Sequence, residues 1–232
     1  FGIWYLLCFV LQSWFGWKIG GLITPNVVLR SCITILLGSA PAFTWRVGLV
    51  ASLSGQFVIL AALYLTFVKR QQSRKLAWCL LLMASCAINF YLLTMVYLLW
   101  VANLLNQFLL QQEIKKTGVA SSRIDVQMAI EWIGFSALLL LMAHALGYFM
   151  VQGVGGQHFG VWRMNVLGFF DSKGYSQLLP ALADDPAGLQ IYEIDGRRYE
   201  SFNYLGLGII ALLTFAIPTL FLRGQNIRSA LA

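Results

Sequence analysis

The chain has 232 residues, of which 59% are hydrophobic and 11% charged, with sixteen basic residues against nine acidic. That leaves too little polar sequence to coat a water-soluble domain of this size, which excludes an ordinary soluble enzyme. The net charge of +7 is scattered among apolar runs, and only the short cluster at 69–75 approaches the water-facing patch that nucleic-acid binding requires, so no nucleic-acid partner is expected.

Hydropathy and chain breakers predict an all-α polytopic membrane protein, a single transmembrane domain over 1–232. Its seven helices fall near 1–15, 28–44, 47–68, 73–88, 90–112, 129–151 and 204–222. The chain opens on Phe1 inside an apolar run, with neither an initiator Met nor a basic signal-peptide flank, so it reads as a fragment of a longer protein. Pro41, near the end of the second segment, predicts a tight outer turn over Pro41-Ala42-Phe43-Thr44-Trp45-Arg46. From 76 to 110 no charged residue occurs in 35 positions. A helix crosses a hydrocarbon core of about 30 Å in roughly 20 residues, so this run must fold back as two. The break is expected at Asn89, a polar residue flanked by interfacial aromatics in Ile88-Asn89-Phe90-Tyr91.

Charge then sets the orientation. With Lys69, Arg70, Arg74 and Lys75 on the cytoplasmic side, alternation places eleven basic residues inside and five outside, as the positive-inside rule expects. Cys8, Cys32, Cys79 and Cys86 fall in apolar spans with no zinc or redox spacing and read as small hydrophobes. His144 and His158 stand on different elements without a ligand pattern, so no metal site is expected. His144 itself, counted back from Val151, lies about 10 Å below the outer end of its helix. An ionisable group at such depth is a candidate functional residue, the alternative being a structural bond to a neighbouring helix.

The segment 152–203 reads as one extracytoplasmic loop carrying six of the nine acidic residues. Within it, 190–200 predicts a small β-hairpin on the turn Asp195-Gly196, pairing Glu193 with Arg198 and Tyr192 with Tyr199. The preceding run, 161–170, is apolar with Trp162 and Arg163 and is suited to lie at the membrane interface.

Four stretches carry a family resemblance. They are Pro41-Ala42-Phe43-Thr44-Trp45-Arg46-Val47-Gly48, the hairpin Ile88-Asn89-Phe90-Tyr91-Leu92-Leu93-Thr94-Met95, Met164-Asn165-Val166-Leu167 to Asp171 with Leu179-Pro180, and Tyr199-Glu200-Ser201-Phe202-Asn203-Tyr204-Leu205-Gly206-Leu207-Gly208. Together they resemble an uncharacterised family of large bacterial inner-membrane proteins, similar in layout to the GT-C glycosyltransferases. Three positions depart from that pattern: Leu49 and Asn89 stand where a His is expected, and Ser201 where a Gly is expected.

The resemblance implies transfer of a sugar from a polyprenyl-phosphate donor at the extracytoplasmic face of the bacterial inner membrane. The partners are then the lipid-linked sugar and membrane lipids, and no cofactor is called for. Such chemistry needs a carboxylate to take the acceptor's proton and cations to stabilise the departing phosphate. Asp171 and Glu200 fit the first role and Arg46 and Arg163 the second. His144, Asn89, Asn203 and Tyr204 complete the expected substrate-binding set. In GT-C enzymes the main catalytic acid commonly sits in the first outer loop, which would lie upstream of Phe1. Two other classes stay open: a transporter or flippase of lipid-linked sugars, and a non-catalytic assembly subunit.

Overall fold

Three stretches form helices long and apolar enough to cross a membrane: Gly2–Ile23, Phe90–Leu109 and Val126–Ala145, counted among the described residues. The computed structural model describes residues 2–46, 51–68, 74–116, 123–150, 169–170, 178, 204–216 and 218, without the side chains of 42, 45, 46, 110–116 and 123–125. The described elements are all helical: α1 (Gly2–Ile23), α2 (Val27–Gly38), α3 (Pro41–Arg46), a 3-10 turn (Ala51–Ser54), α4 (Phe57–Phe67), α5 (Lys75–Ile88), α6 (Phe90–Lys116), α7 (Arg123–Ala145) and α8 (Leu207–Ala216). No strand occurs among the described residues. The segment expected to form the β-hairpin, and nearly all of the loop around it, lies outside them. The chain divides into two compact units, Phe1–Gly38 with Arg46–Val154, and Ser39–Trp45 with Gly155–Ala232.

In the first unit, α1 and α2 pack along a seam of small residues. A Cβ on Gly16 would sit 3.4 Å from the Thr34 Cα, an ordinary contact, and one on Gly20 3.0 Å from Arg30 Cγ, so the two helices approach closely and most tightly at Gly20. The seam corrects the expected first span, 1–15: its glycines do not end the helix but carry it to Ile23 against a partner. Asn26 caps α2, its Oδ1 accepting from the Val28 and Leu29 amides at 2.9 and 3.2 Å. α2 stops at Gly38, beside Ser13 in the middle of α1, rather than running on to 44. There Gln12 Nε2 donates to the Leu37 carbonyl at 3.2 Å, satisfying an acceptor that the helix end leaves over, while Gln12 Oε1 is buried without a partner. Pro41, expected in a turn, opens α3 instead: at a first helical position its missing N–H costs nothing and its φ is already helical.

The core of this unit lies where α4, α5, α6 and α7 meet, around Val58, Trp78, Leu82, Cys86, Val96, Trp100 and Leu139. Trp100 is wholly buried, 5.5 Å from the Tyr97 ring and stacked on Phe135 at 5.4 Å, with its indole N–H unpartnered. Tyr97 and Ser136 share a hydroxyl bond of 3.0 Å between α6 and α7. Outward, the same helices present Leu98, Leu105, Ile130, Ile133, Leu140 and Leu141 to their surroundings, a continuous apolar exterior that suits hydrocarbon rather than water. Helix hydroxyls avoid that exterior by bonding their own backbone four residues back, as Thr34, Thr66, Ser85, Thr94 and Thr214 all do.

Basic residues at the helix ends have assigned work. Arg74 donates to the Leu65 and Val68 carbonyls and so caps the C-terminus of α4. Lys75 at the start of α5 pairs with Glu131 on α7 at 2.9 Å. α7 closes at Ala145 rather than near 151 because Gly147 takes φ +81°. The Tyr148 amide then bonds the Ala143 carbonyl and the Gly147 amide that of His144, which is the Schellman arrangement.

Candidate functional site

Two groups of the expected site residues are separated by the division into units, and each is built by different elements. In the first unit, α5 and α6 meet at Asn89, whose extended backbone breaks the helix between Ile88 and Phe90. Asn89 Oδ1 accepts from the Tyr91 amide at 2.8 Å and so caps α6, while Nδ2 donates to Ser52 Oγ at 3.0 Å. The 3-10 turn bearing Ser52 is held a second time by Trp4 Nε1, which donates to the Ala51 carbonyl at 2.6 Å. Gly55 follows it at a point of close approach, since a Cβ there would fall 2.8 Å from Ile88 Cγ2. Tyr148 Oη closes the same end by donating to the Cys86 carbonyl at 2.9 Å.

Asn89 is thus spent on joining α5, α6 and the 3-10 turn, and both ends of its amide are engaged. His144 lies in the last turn of α7 and is exposed, with the Phe149 ring 6.3 Å away. Because α7 ends at Ala145, His144 is at a helix terminus instead of about 10 Å inside one. Among the described residues no group of three or more His, Cys, Asp or Glu is placed to hold a metal ion.

The second unit brings three sequence-distant segments together. The Leu205 amide donates to the Phe169 carbonyl at 3.1 Å, joining the chain just before Asp171 to the chain just after Asn203. Gly206 then takes φ +87° and its carbonyl accepts from the Ile210 amide at 3.1 Å, starting α8. A Cβ on Gly206 would lie 3.3 Å from both Cδ and Cγ of Pro41, so α3's first residue packs against this turn. Phe43 and Tyr204 are buried in the same unit. Tyr204, expected to touch substrate, is buried and immediately precedes Leu205 of the Phe169–Leu205 junction. Asp171, Arg163, Glu200 and Asn203, and the side chain of Arg46, lie outside the described residues.

A family model described as a domain of unknown function, DUF6311, matches residues 1–231. The chain belongs to that family. No curated protein and no solved structure matches the DUF6311 chain. One of its two positive-φ glycines among the described residues, Gly206, sits inside the motif Tyr199 to Gly208, and the break at Asn89 inside the motif Ile88 to Met95. Each therefore has a local backbone reason for its sequence.

Several contacts in the DUF6311 chain were not foreseen from sequence: the Arg74 cap, the Lys75–Glu131 pair and the Tyr148–Cys86 bond. All three join residues on separate elements, and only for Lys75–Glu131 did the charge signs offer a hint. The Gly16–Gly20 spacing was the readable signal for the α1–α2 seam.

Proposed function

We propose that this chain is the membrane part of a GT-C-like glycosyltransferase of the bacterial inner membrane. It crosses the bilayer about seven times, with 152–203 and its β-hairpin on the extracytoplasmic face, and it transfers a sugar from a polyprenyl-phosphate donor. The observation that carries this reading is the junction of Phe169 with Leu205 and of Gly206 with Pro41. Three of the stretches that resemble the family meet there through Pro41, Phe169 and Leu205–Gly206, and these are the stretches that carry Arg46, Asp171 and Glu200 in the sequence.

In the proposed reaction an acceptor hydroxyl oxygen attacks the anomeric carbon, and the bond from that carbon to the phosphate oxygen breaks with its electron pair leaving on the phosphate. Glu200 or Asp171 takes the hydroxyl proton, and Arg46 and Arg163 neutralise the departing phosphate. In the full-length protein, Glu200→Gln and Asp171→Asn are expected to lower transfer of radiolabelled sugar from polyprenyl-phosphate donors at least about 100-fold, the low end for a general base. Membrane insertion should be unchanged. Full transfer by both variants overturns the reading.

One observation favours transport of lipid-linked sugars as the second reading. α2 ends beside the middle of α1, and half-length helices are a feature of transporter sites. Glu200→Gln vesicles that still move a fluorescent lipid-linked sugar across the bilayer, with no transfer by the unaltered protein, would select that reading.

A further inference from the structure

We infer that the turn-proximal end of the α1–α2 hairpin is a binding site for the phosphate of an anionic phospholipid headgroup. Trp14, Trp17, Lys18 and Gly21 are spaced three or four apart and form one stripe of α1. Arg30 of α2 is laid across this stripe. Its Nε donates to the Trp17 carbonyl at 2.8 Å, its guanidinium carbon stands 3.9 Å over the Trp17 ring, and a Cβ on Gly21 would fall 2.9 Å from that carbon. The glycine is thus the gap into which the guanidinium fits.

Lys18, one residue from Trp17, holds its ammonium 5.0 Å over the Trp14 ring. Two cations are therefore pinned over two indoles on one helix face. Neither has a carboxylate partner among the described residues, and the first acidic residue of the chain is Glu113. Arg74 is engaged more fully, both of its terminal nitrogens donating to carbonyls, and Lys75 pairs with Glu131, whereas the bond of Arg30 to the Trp17 carbonyl uses only Nε.

A pre-oriented Arg and Lys without a carboxylate partner among the described residues form the donor set that a phosphate monoanion or diester takes: the free edge of a guanidinium and an ammonium. The position argues for a lipid source. Lys18 lies in the last third of a 22-residue helix long enough to span, and Arg30 in the first turn of its partner, where the ends of membrane helices meet headgroups. The half-exposed Trp14 supplies the amphipathic ring that such a depth favours. This inference rests on the membrane reading and not on the transfer chemistry.

The test uses the full chain in nanodiscs of phosphatidylcholine with or without phosphatidylglycerol, read by thermal unfolding and by bound-lipid counting in native mass spectrometry. Phosphatidylglycerol is expected to raise the unfolding temperature by several degrees and to remain bound on release from the disc. Lys18→Gln, which removes one partly buried contact over the Trp14 ring, should weaken retention about tenfold, and Lys18→Gln with Arg30→Gln should abolish it. Arg30→Lys, which keeps the charge but loses the flat stacking edge, should fall between. Equal behaviour in both disc compositions, or full retention by Lys18→Gln, overturns the inference. Protection by inorganic phosphate alone equal to that by phosphatidylglycerol overturns the lipid source and leaves a soluble phosphate site.

Discussion

Lys75 and Glu131 form an asymmetric pair: the Lys75 side chain is 53% exposed and that of Glu131 only 10%. An exposed ammonium that loses its partner is rehydrated at small cost, whereas a mostly buried carboxylate left alone loses both partner and solvent. Lys75→Ala is therefore expected to destabilise the protein by about 1–3 kcal/mol, and Glu131→Gln by less than about 1 kcal/mol, which thermal unfolding in detergent measures. Equal losses would place the pair in open solvent. At the same scale, His144 shows how a residue's meaning depends on its element. A helix running to 151 would place it about 10 Å from the end, but the left-handed Gly147 brings the end to Ala145, and the imidazole is exposed. The Gly was visible in the sequence, but the apolar run Leu146 to Val151 outweighed it.

Among elements, the α1–α2 seam makes the clearest forecast. A Cβ on Gly16 meets Thr34 and Leu37 at 3.4–3.6 Å, an ordinary contact, but its neighbours include Thr34 backbone atoms that cannot move aside for a longer chain. Gly16→Ala should be tolerated within about 0.5 kcal/mol, while Gly16→Leu should cost about 1–3 kcal/mol by overpacking. Cysteine cross-linking between α1 and α2 alongside thermal unfolding separates the two outcomes. The seam also explains where sequence reading stopped short. Glycines at 16, 20 and 21 with Lys18 look like the end of a span when hydropathy is the only measure, and become a packing surface only when a partner helix is present. Asn89 was legible for the opposite reason: a polar residue in a long apolar run must either pair or break the helix, and here it does both. Pro41 was read as a turn because proline both ends and opens helices, and the residues around it do not say which.

For the whole molecule, apolar helices were legible because hydrocarbon leaves no alternative way to satisfy backbone groups. The proposed active residues Asp171 and Glu200 were legible only as members of motifs, and both lie outside the described residues. The topology that links the units to a bilayer is testable directly. With cysteine introduced at Gln72 or Lys173, an impermeant maleimide applied to intact spheroplasts should label Lys173→Cys and spare Gln72→Cys until the cells are opened. Labelling of both from outside would invert or collapse the arrangement on which the proposed transfer depends. The hydroxyls of Thr34, Thr66, Ser85 and Thr94 have a quieter consequence. Each is occupied by the spiral that bears it, so it offers no grip to an adjacent rod. Cohesion is left to fit, through bare glycine gaps, and to the long reaches of residues such as Trp4, Gln12, Arg30, Arg74, Asn89, Tyr97 and Tyr148, with one ion pair, Lys75–Glu131, among the described residues. An assembly joined in that way owes little to dissolved ions, and exchanging one oily solvent for another leaves its fastenings in place.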